Sequence, residues 1–265
     1  MQDDFNILFI GDIVGRSGRE SLKIGLPILK EKYNIDFIIA NAENSAGGFG
    51  ISSKIAYQLF DLNIDVITTG NHIWKNKDIL KIIDTEPKIL RPLNYPDGVP
   101  GKGFNIFKKN NVSILVANLL GRINLYEVDC PFQKISKTLN SISEKYDISI
   151  IDFHSETTAE KIAMGYFLDG KVTAVLGTHT HVQTADEKIL PNGTAYITDV
   201  GMTGAFNSVI GMEKENVIKH FLTRMPFKFE VATEDLGINC VVVAIDKKNF
   251  KPYKIERINY KISQK

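Results

Sequence analysis

Histidine is the side chain best suited to ligate a metal or carry a proton near neutral pH, and four of the five in this chain occupy one kind of place. His72, His154, His179 and His181 each stand just behind a short apolar run, while His220 alone sits inside a helical pattern. Carboxylates and carboxamides share those places: Asp12, Glu43 with Asn44, Asn71 beside His72, and Asp199. An Asp or Asn behind a strand is by itself an ordinary turn former or helix cap. That explanation covers neither Glu43 nor the histidines. Imidazole, carboxylate and carboxamide without thiolate suit a divalent ion such as manganese, iron, cobalt or zinc. The donors are too many for one ion. Two ions bridged by a carboxylate clamp a phosphate and acidify the water between them, so phosphoester hydrolysis is the chemistry expected.

The elements that must position these groups read as strand, polar loop and helix in repetition. Residues 5–10 are apolar and end at Gly11-Asp12, and a helical pattern opening at Ser17-Gly18-Arg19-Glu20 runs to about Lys32. Residues 37–40 lead to Asn41, Glu43 and Asn44, then a helix is expected over 52–62; residues 66–69 lead to Gly70-Asn71-His72 and a helix near 77–84. Three such units imply a parallel sheet, and in open α/β sheets the carboxyl ends of the strands form the ligand crevice. Further strands are expected at 103–107, 112–118, 148–153 and 195–198, with helices at 131–145, 156–167 and 213–225. The Pro- and Gly-rich stretch 85–102 reads as an irregular loop. The strand-like runs 239–245 and 253–258 look like a mixed or antiparallel edge. Within Gly177-Thr178-His179-Thr180-His181, residues two apart on extended chain point the same way, so both imidazoles are expected to face one point.

Composition bounds the alternatives. A chain of 265 residues with 43% hydrophobic content supports a substantial core, and no domain boundary shows over 1–265. With 32 basic against 31 acidic residues, the net charge of +1 gives no bulk attraction to nucleic acid or membrane, so any bound nucleotide is expected to be small. Cys130 and Cys240 form no CxxC pair, and the acidic start MQDDFNILFIGD is unlike a signal peptide. No run approaches a membrane span. A soluble cytoplasmic protein is expected; homo-oligomerisation stays open.

Asp12, Asn71-His72, His154 and the GTHTH run resemble the metallo-dependent phosphoesterase signature of the calcineurin-like superfamily. FIGDIVGRSGR, NAENSAGGFGI, TTGNHIW, IDFHSETTAEKIAMGYFLDG, LGTHTHVQTAD and ITDVGMTG are, more narrowly, similar to the YmdB family of 2′,3′-cyclic-nucleotide 2′-phosphodiesterases, and these blocks run across most of the chain. The resemblance implies a four-layer α/β/β/α sandwich of the metallo-dependent phosphatase type. It also implies two metal ions, iron before manganese or zinc. Asp12, Glu43, Asn44 and His181 would hold one and Glu43, Asn71, His154 and His179 the other, with Glu43 as bridge. Hydroxide between the ions would attack the cyclic phosphodiester in line, and His72 would protonate the departing 2′ oxygen to leave a 3′-nucleotide. Two departures stand out: Val14 occupies a position where the superfamily often has a ligating histidine, and Lys75 follows Trp74 where an acidic residue is common. Asn44 is the residue available to fill the first vacancy.

Weaker signals surround this set. Tyr166, Phe167, Phe206 and Trp74 could stack on a base, although aromatics near strand exits are more often core. Arg16, Arg19, Arg91 and Arg122 could meet phosphate, with a surface ion pair as the default. The Gly47-Gly48-Phe49-Gly50 loop could admit a ligand or only turn the chain. Two other functions are compatible with the residues: hydrolysis of other phosphomonoesters or diesters, and nucleotide sensing with incidental turnover.

Overall fold

The computed structural model of the chain describes residues 4–263. In chain order the elements are β1 (Asp4–Ile10), β2 (Asp12–Ile13), α1 (Gly15–Lys32), β3 (Phe37–Asn41), α2 (Ser53–Asp61), β4 (Val66–Thr68), a 3₁₀ helix (Lys77–Lys81), β5 (Ile89–Leu90), β6 (Phe104–Lys109) and β7 (Val112–Leu120). Then follow α3 (Pro131–Ser141), β8 (Ile148–His154), α4 (Thr158–Leu168), β9 (Ala174–Thr178), β10 (Lys188–Ile189), β11 (Ala195–Ile197), β12 (Met202–Ala205), α5 (Lys214–Thr223), β13 (Leu236–Asp246) and β14 (Lys251–Lys261).

Two sheets result. In the first, β1, β3, β4 and β5 are parallel neighbours in that order, as the repeated strand–helix units require. In the second, the order is β10-β11-β9-β8-β7-β6, with β7, β8, β9 and β11 parallel. Alternation along β1 shows how both faces are filled. Phe5, Ile7 and Phe9 point between the sheets, and Leu8 and Ile10 point to the layer containing α1 and α2. Each such buried side chain contributes about 1.5–3 kcal/mol of transfer free energy.

Three apolar cores separate four layers. Leu22, Leu26 and Leu29 of α1 with Ala56 and Leu59 of α2 cover the outer face of the first sheet. Ile114 and Val116 of β7, Ile150 of β8 and Leu176 of β9 meet Phe9, Phe37 and Ile39 between the sheets. Ile135, Met164 and Leu168 of α3 and α4 cover Ile151, Phe153 and Val175 on the far side. This is the expected α/β/β/α order.

Several boundaries differ from the sequence expectation. The helix expected near 77–84 is one short 3₁₀ segment, because Asn76 caps it by accepting from the Asp78 amide and Ile82 already leaves helical geometry. The helices expected over 131–145 and 213–225 end at Ser141 and Thr223, where Ile142 turns extended with a ψ of 117° and Arg224 turns left-handed with a φ of 58° two residues before Pro226. The runs 239–245 and 253–258 do make an antiparallel edge, but only β14 is outermost: β13 pairs antiparallel with β14 along one side and with β1 and β12 on the other. Its unbroken apolar run is what burial on both faces demands. Among the described residues no helix is long and apolar enough to cross a membrane.

Candidate metal centre

The carboxyl ends of the two sheets adjoin, and each supplies donors. Asp12 opens β2, Glu43 and Asn44 follow β3, and Asn71 and His72 follow β4; from the second sheet His154 closes β8, and His179 and His181 follow β9. Asp12 and Glu43 are fully buried, and so is His154. Glu43 Oε1 lies 3.0 Å from His154 Nε2, which also lies 3.2 Å from Asn71 Oδ1 and 3.0 Å from His179 Nδ1. On the other side Asn44 Nδ2 is 3.0 Å from His181 Nε2 and 3.4 Å from Glu43 Oε1, and His181 Nε2 is 3.8 Å from Asp12 Oδ1. The structure thus brings together all seven donors named from the sequence, with His72 at their margin.

The packing around the donors leaves no room for a bulkier backbone. A Cβ on Gly70 would lie 2.3 Å from Glu43 Oε2 and 2.4 Å from His154 Nε2, so glycine there lets the β4 exit pass against the cluster. His179 and His181 do not converge by strand alternation: β9 ends at Thr178, and the two histidines adopt φ of 103° and 65°. Non-glycine residues are uncommon in this region, so the surroundings must hold them. Asp199 does that. Its Oδ2 accepts from the Thr180 amide at 3.0 Å and the Thr180 hydroxyl at 2.7 Å, and it pairs with the buried Lys161 ammonium at 2.6 Å. Asp199, grouped by sequence with the exit donors, therefore supports the loop between the histidines instead of facing the cluster.

Hydrogen bonds fix which nitrogen each ring presents. Thr178 Oγ1 donates to Asp152 at 2.7 Å and so accepts from His154 Nδ1 at 2.9 Å, which leaves the His154 Nε2 lone pair toward Glu43 and His179. His181 Nδ1 donates to the Ile210 carbonyl at 2.8 Å, turning Nε2 inward. His179 Nε2 meets Glu156 Oε2 at 2.9 Å, turning Nδ1 inward. Supporting partners of this kind orient metal-binding imidazoles. Asn41 ties the set together by donating to Asp152 and accepting from the Glu43 amide.

These donors fit a cation. Ligand atoms of Glu43, His154 and His179 all lie within 4.8 Å of one another. Among the described residues Asp12 Oδ1 is buried without a hydrogen-bond partner, which is costly for a carboxylate unless a positive charge faces it. The electrostatics agree. Burial pushes the Asp12 carboxyl up, whereas for Glu43 the burial effect is outweighed by the charge and hydrogen bond of His154, with His72 adding to it, and its pKa falls well below the usual range. Burial opposes a proton on His154 too, but Glu43, then Asp12 and Asp152, lift its pKa to about 9; burial and the neighbouring His154 charge drive His179 down to about 2. A proton on His154 occupies the place where these carboxylates attract positive charge, and a metal competes with it.

Sequence reasoning missed Glu156, Asp152 and Thr178, which orient the rings. The aromatics weighed as base platforms mostly take the core packing the sequence favoured for them: Trp74 packs on Tyr95, Phe167 on Phe132, and the Phe206 ring lies over Gly237. Of the arginines, Arg91 is tied to the carbonyls of Pro92, Val99 and Pro100, and Arg19 to that of Ser45.

Two facing sheets with carboxylate, carboxamide and imidazole donors at their adjoining carboxyl ends define a metallophosphoesterase fold. The NAD nucleotidase of Haemophilus influenzae shares it, with a TM-score of 0.59 at 14% identity over 98% of this chain and 57% of that one. The chain belongs to the YmdB-like protein family, whose model matches residues 8–258. It is 48% identical over 252 residues to the 2′,3′-cyclic-nucleotide 2′-phosphodiesterase of Bacillus subtilis, covering 95% of this chain and 96% of that one. The crystal structure of a novel phosphatase from Mycoplasma pneumoniae matches with a TM-score of 0.92 and 37% identity, over 98% of this chain and 95% of that one.

Proposed function

We propose that the chain is a metal-dependent phosphodiesterase that opens 2′,3′-cyclic nucleotides to 3′-nucleotides, its residues forming one catalytic domain in a reducing cytoplasmic setting. The observation that carries this reading is the cluster of Glu43, His154 and His179 with Asp12 Oδ1, which accepts no hydrogen bond from any described residue, beside it. Asp12, Glu43, Asn44 and His181 would hold one ion and Glu43, Asn71, His154 and His179 the other, of iron, manganese or zinc. Two bound divalent ions supply Lewis acidity, neutralising phosphate charge and making water a nucleophile near neutral pH.

His72 is the proton donor in this reading. Its Nδ1 donates to Asn44 Oδ1 at 2.8 Å with Glu43 Oε1 at 3.4 Å, and its backbone amide donates to Glu43 Oε2 at 2.9 Å. Nε2 is the nitrogen left to give a proton. As the bond between phosphorus and the 2′ oxygen breaks, the 2′ oxygen takes that proton and water supplies the new oxygen on phosphorus, so the product is the 3′-monoester. The Phe49 ring, edge-on at 5.1 Å between centroids, limits how far the imidazole can turn.

Hydrolysis of 2′,3′-cyclic AMP by metal-replete protein, with the product identified, tests the reading. The expected product is 3′-AMP, and His72→Ala should lose on the order of 10²- to 10⁴-fold in kcat while keeping its metal. Undiminished turnover in that variant removes His72 from the chemistry. A panel in which monoesters outpace the cyclic diester would instead make the protein a phosphatase.

A further inference from the structure

Next to the donors the crevice widens into a cavity of about 360 Å³, within the range of small-molecule sites. Its lining divides by chemistry. Glu43, Asn44, His72, His179 and His181 contribute the polar part, and Phe49, Ile210, Met212 and Phe229 an apolar part. Phe49 is 45% exposed and Ile210 51%, so large apolar side chains face solvent beside the most polar centre of the molecule. Apolar side chains meeting a few convergent polar groups in one cavity are the usual composition of a small-molecule site.

The apolar side chains rest on close neighbours. Gly48 adopts a φ of 95°, and a Cβ there would sit 2.7 Å from Met212 Cε, so the loop carrying Phe49 lies directly on Met212. Phe49 meets His72 edge-on, and Phe229 packs edge-on against His220 with centroids 5.6 Å apart. The remaining polar lining is already engaged: Glu156 with His179, and Thr180 with Asp199.

We propose that this apolar part is the base subsite, where the nucleobase of a 2′,3′-cyclic nucleotide stacks on Phe49 and is flanked by Phe229, Met212 and Ile210. The inference rests on the phosphodiesterase reading above. An occupant must place a phosphoester at the donors and a flat, π-faced group about one ring further on, because Phe49 touches the very imidazole assigned to the leaving oxygen. A nucleoside cyclic phosphate has that shape. With the polar lining engaged elsewhere, recognition is by stacking, which every base can supply, and little of the base edge is read.

The test compares kcat/KM for 2′,3′-cyclic AMP with that for ribose 2′,3′-cyclic phosphate, which lacks the base, in wild-type protein, Phe49→Ala, Phe49→Trp and Phe229→Ala. Any loosening of His72 in Phe49→Ala acts on both substrates and cancels in their ratio. Wild-type protein should favour the nucleotide by about tenfold or more, and Phe49→Ala should remove most of that preference while Phe49→Trp keeps it. Phe229→Ala should lower it in part. The four common 2′,3′-cyclic nucleotides should fall within about tenfold of one another, since stacking tolerates any base. Turnover of both compounds with an unchanged ratio in Phe49→Ala and Phe229→Ala would overturn the subsite alone. Turnover of neither by wild-type protein would overturn the phosphodiesterase reading and the subsite with it.

Discussion

His179 can present Nδ1 to the donor cluster because its other nitrogen is occupied by Glu156, 2.9 Å away on a half-exposed carboxylate. Truncating Glu156 leaves the ring free to rotate without removing a donor. Glu156→Ala should therefore weaken metal binding by about 10–100-fold, the usual effect of losing a ligand's orienting partner. Calorimetric titration of metal-free protein with manganese checks this; unchanged affinity would make Glu156 a surface residue only. The donors were legible in the sequence because histidine and glutamate directly behind apolar runs have no common structural explanation. Glu156 was not, since a glutamate just before a helix reads as an ordinary first-turn charge. Phe49 and Phe229 were not singled out as ring platforms, since they reach the cavity from segments far apart in sequence, whereas Trp74, next to the motif, packs on Tyr95.

Strand–loop–helix repetition showed in the sequence because each parallel strand is buried on both faces and reads as an unbroken apolar run. The conformation of the loop behind β9 did not show. Alternation predicts extended chain, while the left-handed His179 and His181 depend on Asp199, which comes from the exit of β11, and on Lys161 from α4. Such long-range support leaves no local trace. The 3₁₀ segment replacing an expected helix is likewise fixed from outside, where Asp78 accepts from the amide and hydroxyl of Ser53 at the start of α2. Lys81 foremost, then Ser53, holds the Asp78 carboxyl down to about 2. A depressed folded-state pKa means that the stabilising contact is fully present above the unfolded value of about 3.9 and is lost as pH falls through about 2. Titration of the Asp78 carboxyl by NMR should give a midpoint near 2 and, in Ser53→Ala, one closer to 3.9. A midpoint near 3.9 in the unaltered chain would deny the link between the two elements.

At the scale of the whole molecule, the core between the sheets sets the distance between two rims that each carry only part of the donor set. Asp12, Glu43, Asn44 and Asn71 come from one sheet, and His154, His179 and His181 from the other. The four-layer order followed from family resemblance, because composition and periodicity indicate parallel sheets but not how two of them face each other. Glu43 is a buried carboxylate that touches both halves, 3.0 Å from His154 across the gap and reaching His72 on its own side. The proposed phosphodiesterase requires this joined rim to hold two cations with Glu43 between them. Elemental analysis of protein reconstituted with iron or manganese and freed of excess tests it directly. The expected result is two ions per chain, falling to one or none in Glu43→Ala, and retention of two ions by that variant would contradict it.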